Sequence, residues 1–536
     1  MIGVAVLVVS FGAGEHSLWA QAKKKPAEKT DKKADSKTTA KTTRDAATER
    51  ALLKQTEKVE TAHSKELEKI VTWAVSSGLK AEAEKLLTTM RAIDSDYAGL
   101  SKLMAAVEKT PAPKDETKVA ELRATFAKKL ETANDQNAKR LFDLATACMK
   151  LGLFTRAFDL VNDVVDADPD HKRARDILGF SWDATNKKWI RKWDAEMLKK
   201  CIVTEDGWVK REDKKKWDQG LRDYQGKWVS KEEEERIRKR NNYNMFAVES
   251  EHFRIETNLG RKQGWEYAGL LEDFYAEFFR FYLGFYDQTA GAKLLFVTAK
   301  NKKKHIVKVF PTRDDYLTYL KSEKNNDKLL QDSGGWWSEL DQCSHFYYQG
   351  REETLHILYH EVTHQLFGET KPGSGQSKGN NWVAEGIASY METWEKVDGK
   401  WKPGHKVGSN LLQRAKHILS TRLRWDLPTF LAIDQVKFHA EAEERADNYA
   451  LSASLCHFLM HGQGELYREP FIQFISAYYE GKVVEDSLGR FIPVEGGGGA
   501  GGVIGTLETQ FKEYMAHLGE RAPEESSKPE EEKKEK

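Results

Sequence analysis

The sequence predicts an α+β fold: a long helical region followed by a mixed region of short strands and helices. Three observations carry this expectation. Apolar residues recur at helical spacing from about residue 46 to residue 183. Period-two runs, Phe253-Arg254-Ile255-Glu256-Thr257 and His305 to Phe310, alternate with helical runs further along. Leu355, Tyr359, Val362 and Leu366 then step by four, three and four, one apolar helical stripe with His360 and His364 beside it. A chain of 536 residues, 40% hydrophobic, suits two or three domains with ample core material.

Taken in order, Ile2 to Gly12 is an apolar run too short to span a bilayer. Ala20-Gln21-Ala22 fits a small-x-small cleavage site before three lysines, so 1–22 reads as a signal peptide, although no Lys or Arg precedes the run. The expected location is exported: periplasmic, cell-envelope or secreted. Residues 23–45 hold almost no large apolar residue and are expected to form a disordered linker. Residues 46–183 read as helical. Leu144, Ala145, Gly152, Ala157 and Pro169 fall at the spacing of a tetratricopeptide-like unit, and Leu178, Gly179 and Trp182 begin a second. Such a region either holds a protein partner in a groove or acts as a helical spacer.

Residues 184–240 form a connector in which Trp189-Ile190, Trp208-Val209 and Trp228-Val229 recur every 19 or 20 residues. Trp-anchored hairpins or turns are expected there, for packing or for glycan or peptide contact. Lys231 to Arg240 reads as a solvated charged helix. A second domain is expected over 244–520. It has a strand at Phe253–Thr257, an aromatic helix over 262–283, strands at Lys293–Thr298 and His305–Phe310, a short helix at Asp314–Leu320 and a strand at Leu340–Tyr348. Gly368 and the Gly, Pro, Ser and Lys-rich stretch after it end the histidine helix near Phe367. Helices follow to about Leu518, broken by a loop at Gly496–Gly499 and Gly501-Gly502. Residues 521–536 form a disordered charged tail.

Composition excludes some partners. Net charge is +1, which makes no electrostatic case for nucleic acid. No run of 18 apolar residues follows residue 20, so no integral membrane segment beyond the signal is expected. Cys148, Cys201, Cys343 and Cys456 lack metal-ligand spacing and are expected to be buried free thiols.

The chemistry concentrates in His360-Glu361-Val362-Thr363-His364 and Glu385. Histidines four apart on a helix point the same way, about 6 Å apart, and can share one zinc ion. Glu361 then lies beside the open coordination position. Glu385 sits among Trp382, Val383, Ala384, Ile387 and Ala388, where a carboxylate is costly unless a charge compensates it. Gly386 and Ala388 are small enough to let this helix approach the first. His356 is about 12 Å of helix from His364 and cannot share its ion, so a buried or supporting histidine is expected.

Tyr359 to Gln365, with Asn381-Trp382-Val383-Ala384-Glu385-Gly386-Ile387-Ala388-Ser389-Tyr390, resembles the gluzincin zinc metallopeptidases, closest to the aminopeptidase-like branch with its Glu-Gly-aromatic-Ala-x-Tyr motif. The wider arrangement is similar to secreted bacterial proteins of that type with helical repeats upstream. The resemblance implies a gluzincin-like catalytic domain acting on peptide or protein substrates. It makes His360, His364 and Glu385 the Zn2+ ligands and Glu361 the general base. Ser389, one turn after Glu385, could orient a ligand. Tyr449 is the candidate oxyanion donor, with a core tyrosine as the other reading, and is expected to open a helical stretch at Ala450. The strand before the zinc helix is expected to be the sheet edge that pairs with substrate. The Gly-x-Met-Glu-Asn signature of the aminopeptidases is absent, and Gly334-Gly335-Trp336-Trp337 does not replace it. Two rivals stand beside a peptidase: a non-catalytic envelope scaffold with a structural metal, and a zinc amidase acting on cell-wall peptides.

Overall fold

A computed structural model of the chain describes residues 35–519, apart from 95–96, 112–115, 152, 241–243, 287–302, 323–332, 371–379, 398–399, 403, 405, 423, 440–441, 484–486, 493 and 495–498. The signal peptide, linker residues 23–34, Gly152, the strand expected at Lys293–Thr298 and the tail 521–536 lie outside the described residues. The fold is α+β, and the chain divides into two compact units that meet in sequence at Lys304 and His305. No helix among the described residues is long and apolar enough to cross a membrane.

The first unit opens with α1 (Asp35–Ser76), α2 (Lys80–Ile93) and α3 (Leu100–Glu108), packed through Leu67, Val71, Ala83, Leu86, Met90 and Leu103. Residues 35–45, expected as linker, belong to α1. Ala, Lys and Thr without Gly or Pro permit a helix there. Helices α4 (Glu116–Leu151) and α5 (Phe154–Ala167) form a hairpin over Ala145, Cys148, Ala157 and Val161. The second tetratricopeptide unit does not form. After α6 (Lys172–Ile177), Gly179 takes φ +80° and the chain turns into a strand, with Trp182 opposite Trp189.

The tryptophan repeat is a threefold ββα repeat. Hairpins β1–β2 (Phe180–Asp183, Lys188–Arg191), β3–β4 (Cys201–Thr204, Gly207–Lys210) and β5–β6 (Leu221–Tyr224, Lys227–Ser230) are followed by α7 (Lys192–Lys200), α8 (Lys214–Asp218) and α9 (Lys231–Arg238). Each recurring Trp sits on a second strand and is half-buried. Trp208 packs edge-on against Trp193 and Trp265. Helix α9 is not simply solvated. Its Glu234 is buried and accepts from Arg238 at 2.8 Å and Arg261 at 2.5 Å.

Hairpin β7–β8 (Phe246–Glu249, Phe253–Thr257) and the aromatic helix α10 (Arg261–Tyr286) group with this unit rather than with a domain starting at 244. The reason is packing: Leu283 joins the α4–α5 core, Phe279 meets Phe158, and Arg280 pairs with Asp159.

The second unit begins with β9 (His305–Phe310) and α11 (Arg313–Ser322). Strand β10 (Gly335–Ser338) runs antiparallel to β11 (Cys343–Tyr347), which lies parallel to β9. Strand β11 is thus interior, and β10 is the edge. This corrects the expectation that the strand next to the histidine helix would be the edge: Ser338 to Gln342 turn the chain back, and the register Trp337↔Ser344 puts β10 outside.

Helices α12 (Arg351–Thr370) and α13 (Trp382–Met391) follow, then a short hairpin β12–β13 (Glu395–Val397, Lys400–Lys402). Next come α14 (Asn410–Thr421), α15 (Leu427–Leu431), α16 (Gln435–Phe438) and α17 (Ala442–His461). The unit closes with α18 (Arg468–Tyr479), α19 (Leu488–Phe491) and α20 (Gly499–His517). Gly501 and Gly502 lie inside α20 and not in a loop, because Leu507, Phe511 and Met515 bury its face.

Helix α12 runs on past Phe367 to Thr370. Gly368 does not terminate it. A Cβ there would overlap the Trp337 ring. Gly368→Ala should therefore cost about 1–3 kcal/mol by overpacking, read as a lower melting temperature; an unchanged melting curve would mean that the ring moves freely. Gly386 likewise serves a different neighbour from the one expected. A Cβ there would lie 2.7 Å from the Ser452 carbonyl of α17, so the close approach is to α17.

Candidate metal centre

Every residue of α12 from Ile357 to Gly368 is buried, so the helix lies inside the unit with polar residues on several faces. Buried polar side chains need partners. Gln365 accepts from Ser344 Oγ at 2.8 Å and donates to the Ile306 carbonyl and Glu369. His360, Glu361 and His364 turn towards α13, where Glu385 is also buried.

The two imidazoles and the Glu385 carboxylate converge. His360 Nε2 and His364 Nε2 are 3.2 Å apart, and Glu385 Oε2 lies 3.4 and 3.6 Å from them. Glu385 Oε2 is buried and makes no hydrogen bond among the described residues. Three donors bound tetrahedrally to zinc at about 2.0–2.2 Å stand about 3.3–3.6 Å apart. The observed triangle fits that spacing, and two imidazoles with one carboxylate are a ligand set zinc accepts.

The electrostatics of the three donors suit a cation. Burial would lower the His360 pKa, but the carboxylates of Glu385 and Glu392 raise it to about 10. Burial would raise Glu385, but His364 and His360 hold it well below the carboxylate range. The carboxylates of Glu385 and Glu392 thus favour positive charge at this point.

Glu361 has its own setting. Its Oε2 accepts the backbone N–H of Trp337 on β10 at 2.9 Å, while Oε1 is buried without a hydrogen-bond partner among the described residues. Burial raises its pKa above the ordinary range, against lowering by His360 and His364. One oxygen is held and the other is available.

Two residues of the centre were not read from the sequence. Glu392 Oε1 lies 2.6 Å from His360 Nδ1 and fixes the ring so that Nε2 points inward. Its signal was its place seven residues after Glu385, two turns along the same helix face. Glu392→Gln should weaken zinc binding about 10- to 100-fold, as supporting partners of metal ligands do; competition with a chromophoric chelator measures it, and unchanged affinity would deny the support. His439, capping α16, is the second. Its ring lies 6.2 Å from that of Tyr449; burial lowers its pKa, and the charge of Glu385 works the other way. Only the tertiary fold brings it near.

The remaining expected residues divide. Tyr449 comes to the centre, its ring 6.3 Å from that of His360 and near parallel. It lies two turns inside α17 rather than opening a helix, since that helix starts at Ala442. Ser389 is buried, but its hydroxyl makes no hydrogen bond among the described residues and does not orient a ligand. His356 is neither buried nor a support; it is half-exposed on the outer side of α12, with Lys406 at 3.5 Å. The four cysteines are buried thiols outside any disulfide, as expected.

Residues 355–480, from α12 into the region after α18, match the family described as "Protein of unknown function (DUF1570)". No curated protein and no solved structure matches the chain.

Proposed function

We propose that this chain is a zinc-dependent peptidase of the gluzincin type, exported from the cell. The observation that carries the reading is the triangle of His360, His364 and Glu385 donors with Glu361 beside it. When bound there, zinc would polarise a scissile carbonyl and acidify a water molecule. The chain's own residues do the rest. Glu361 Oε1 takes a proton from water and delivers it to the leaving nitrogen, while the Trp337 N–H keeps the carboxylate from rotating away. Glu392 holds His360 in the tautomer that leaves Nε2 free for the ion. Tyr449, whose ring lies 6.3 Å from that of His360, is the candidate donor to the oxyanion. Among the described residues, strand β10 has an unpaired edge beside Glu361, and an extended peptide can add to such an edge through backbone hydrogen bonds.

The unpartnered Oε1 of Glu361 favours catalysis over a purely structural metal, which needs no base. The test is hydrolysis by the purified chain of a panel of proteins, short peptides and peptidoglycan, with zinc and with chelator. Zinc-dependent cleavage of protein or peptide is expected. Cleavage of peptidoglycan alone would make the enzyme a cell-wall amidase. No cleavage of any substrate by zinc-loaded protein would sink the reading in favour of a scaffold.

A further inference from the structure

Strand β11 carries a second group of donors. Asp341, Cys343 and His345 offer a carboxylate oxygen, a sulfur and a ring nitrogen, all within 4.8 Å of one another. Successive strand residues face opposite sides. Ser344 faces α12, where its hydroxyl reaches Gln365 and lies 3.5 Å from the Glu361 carbonyl. Cys343 and His345 therefore face away from the His360 centre.

His345 is the informative member. It is fully buried, held between the rings of Trp336 at 5.2 Å and Tyr319 at 5.4 Å. Neither ring nitrogen makes a hydrogen bond among the described residues, although Nε2 lies 3.3 Å from Asp341 Oδ2. A buried imidazole without a hydrogen bond is costly, and the aromatic walls fix this one in place. Cys343 is buried and free of any disulfide. Asp341 sits at the turn before β11 with a half-exposed side chain, a route for an ion from solvent. The nearby cation, Lys308, is engaged by the Tyr319 hydroxyl at 2.9 Å.

We propose that Asp341, Cys343 and His345 form a second metal site, for a borderline divalent ion of the zinc type, on the opposite face of β11 from the His360 centre. Thiolate, imidazole and carboxylate together select such an ion over calcium or magnesium. Binding releases the thiol proton to solvent, and solvent completes the coordination. The ion's role is to hold the β10–β11 turn. The register between those strands places the Trp337 N–H against Glu361, so the site supports the first centre without sharing a ligand with it.

Cobalt(II) is the probe, because only a site with a thiolate gives a near-ultraviolet sulfur-to-cobalt charge-transfer band, and the His360 centre contains no sulfur. The full-length chain is expected to take up two cobalt ions and show the band. Cys343→Ser should lose the band and one ion. His360→Ala combined with His364→Ala should lose one ion and keep the band, whatever the fate of the peptidase reading. Asp341→Asn, at an exposed position that endangers no fold, should weaken the band-forming site by at least about tenfold. A wild-type chain without the band, or a band that survives Cys343→Ser, would overturn the proposal.

Discussion

Glu361→Gln is expected to lower peptide hydrolysis by about 10²–10⁴-fold, the range that a positioned general base contributes, while the chain keeps its zinc. The argument is geometric. The Glu361 carboxylate is not among the converging donors; it lies beside them, one oxygen fixed by the Trp337 N–H and the other without a hydrogen bond among the described residues. Glutamine has the same shape and can still accept from Trp337, so the fold and the three ligands should stay as they are. What it lacks is a lone pair able to carry a proton from water to the leaving nitrogen. Metal content by elemental analysis and the melting temperature should therefore match the wild type while turnover collapses. If the variant cleaves as fast as the wild type, Glu361 is not the base. If it loses zinc, Glu361 has been misplaced among the residues beside the ion.

How much of this could be read in advance depended on the range of the interaction. His360 and His364 share a helix face by local geometry, and Glu385 declared itself as a carboxylate in an apolar helix. Those residues needed no knowledge of the fold. The tryptophan repeat was legible for the same reason: a spacing of 19 or 20 residues is written in the chain, and it became three ββα units. Residues whose role depends on distant partners were misread. Gly368 resembled a helix stop and is instead a gap for the Trp337 ring. Gly386 was assigned to the wrong neighbour, because nothing local says that α17 and not α12 lies against it. Gly334-Gly335-Trp336-Trp337 has no period-two pattern, so the edge strand that holds Glu361 was not recognised as a strand at all. The domain boundary was misplaced for a related reason. Helix α10 has an aromatic face that suits any core, and only its contacts with Phe158, Asp159 and Thr155 show which one it joins.

Zinc uptake by the His360 centre should release about one proton per ion at neutral pH, and His360→Ala should abolish both the uptake and the release. His360 lies between two carboxylates, Glu385 at 3.4 Å and Glu392 at 2.6 Å. Burial works against the charged ring, but those carboxylates keep it protonated up to about pH 10. A metal ion needs the Nε2 lone pair, so it must expel that proton. Zinc affinity should accordingly fall as pH falls, since protons compete for the same atom. Calorimetry in buffers of different ionisation heat counts the protons; a Cys343→Ser background confines the count to this centre. Thermal melting supplies the second readout. An ion that binds only the folded chain adds about 2.7 kcal/mol at a hundred times its Kd. His360→Ala also strands Glu385 and Glu392 without their cation, which by itself costs about 3–5 kcal/mol for a buried pair broken on one side. The melting temperature alone would therefore mislead, and the zinc-dependent increment decides. Its loss in His360→Ala, and its weakening in Glu385→Gln, are expected. A full increment in His360→Ala would place the ion elsewhere and remove the basis for a peptidase at this site.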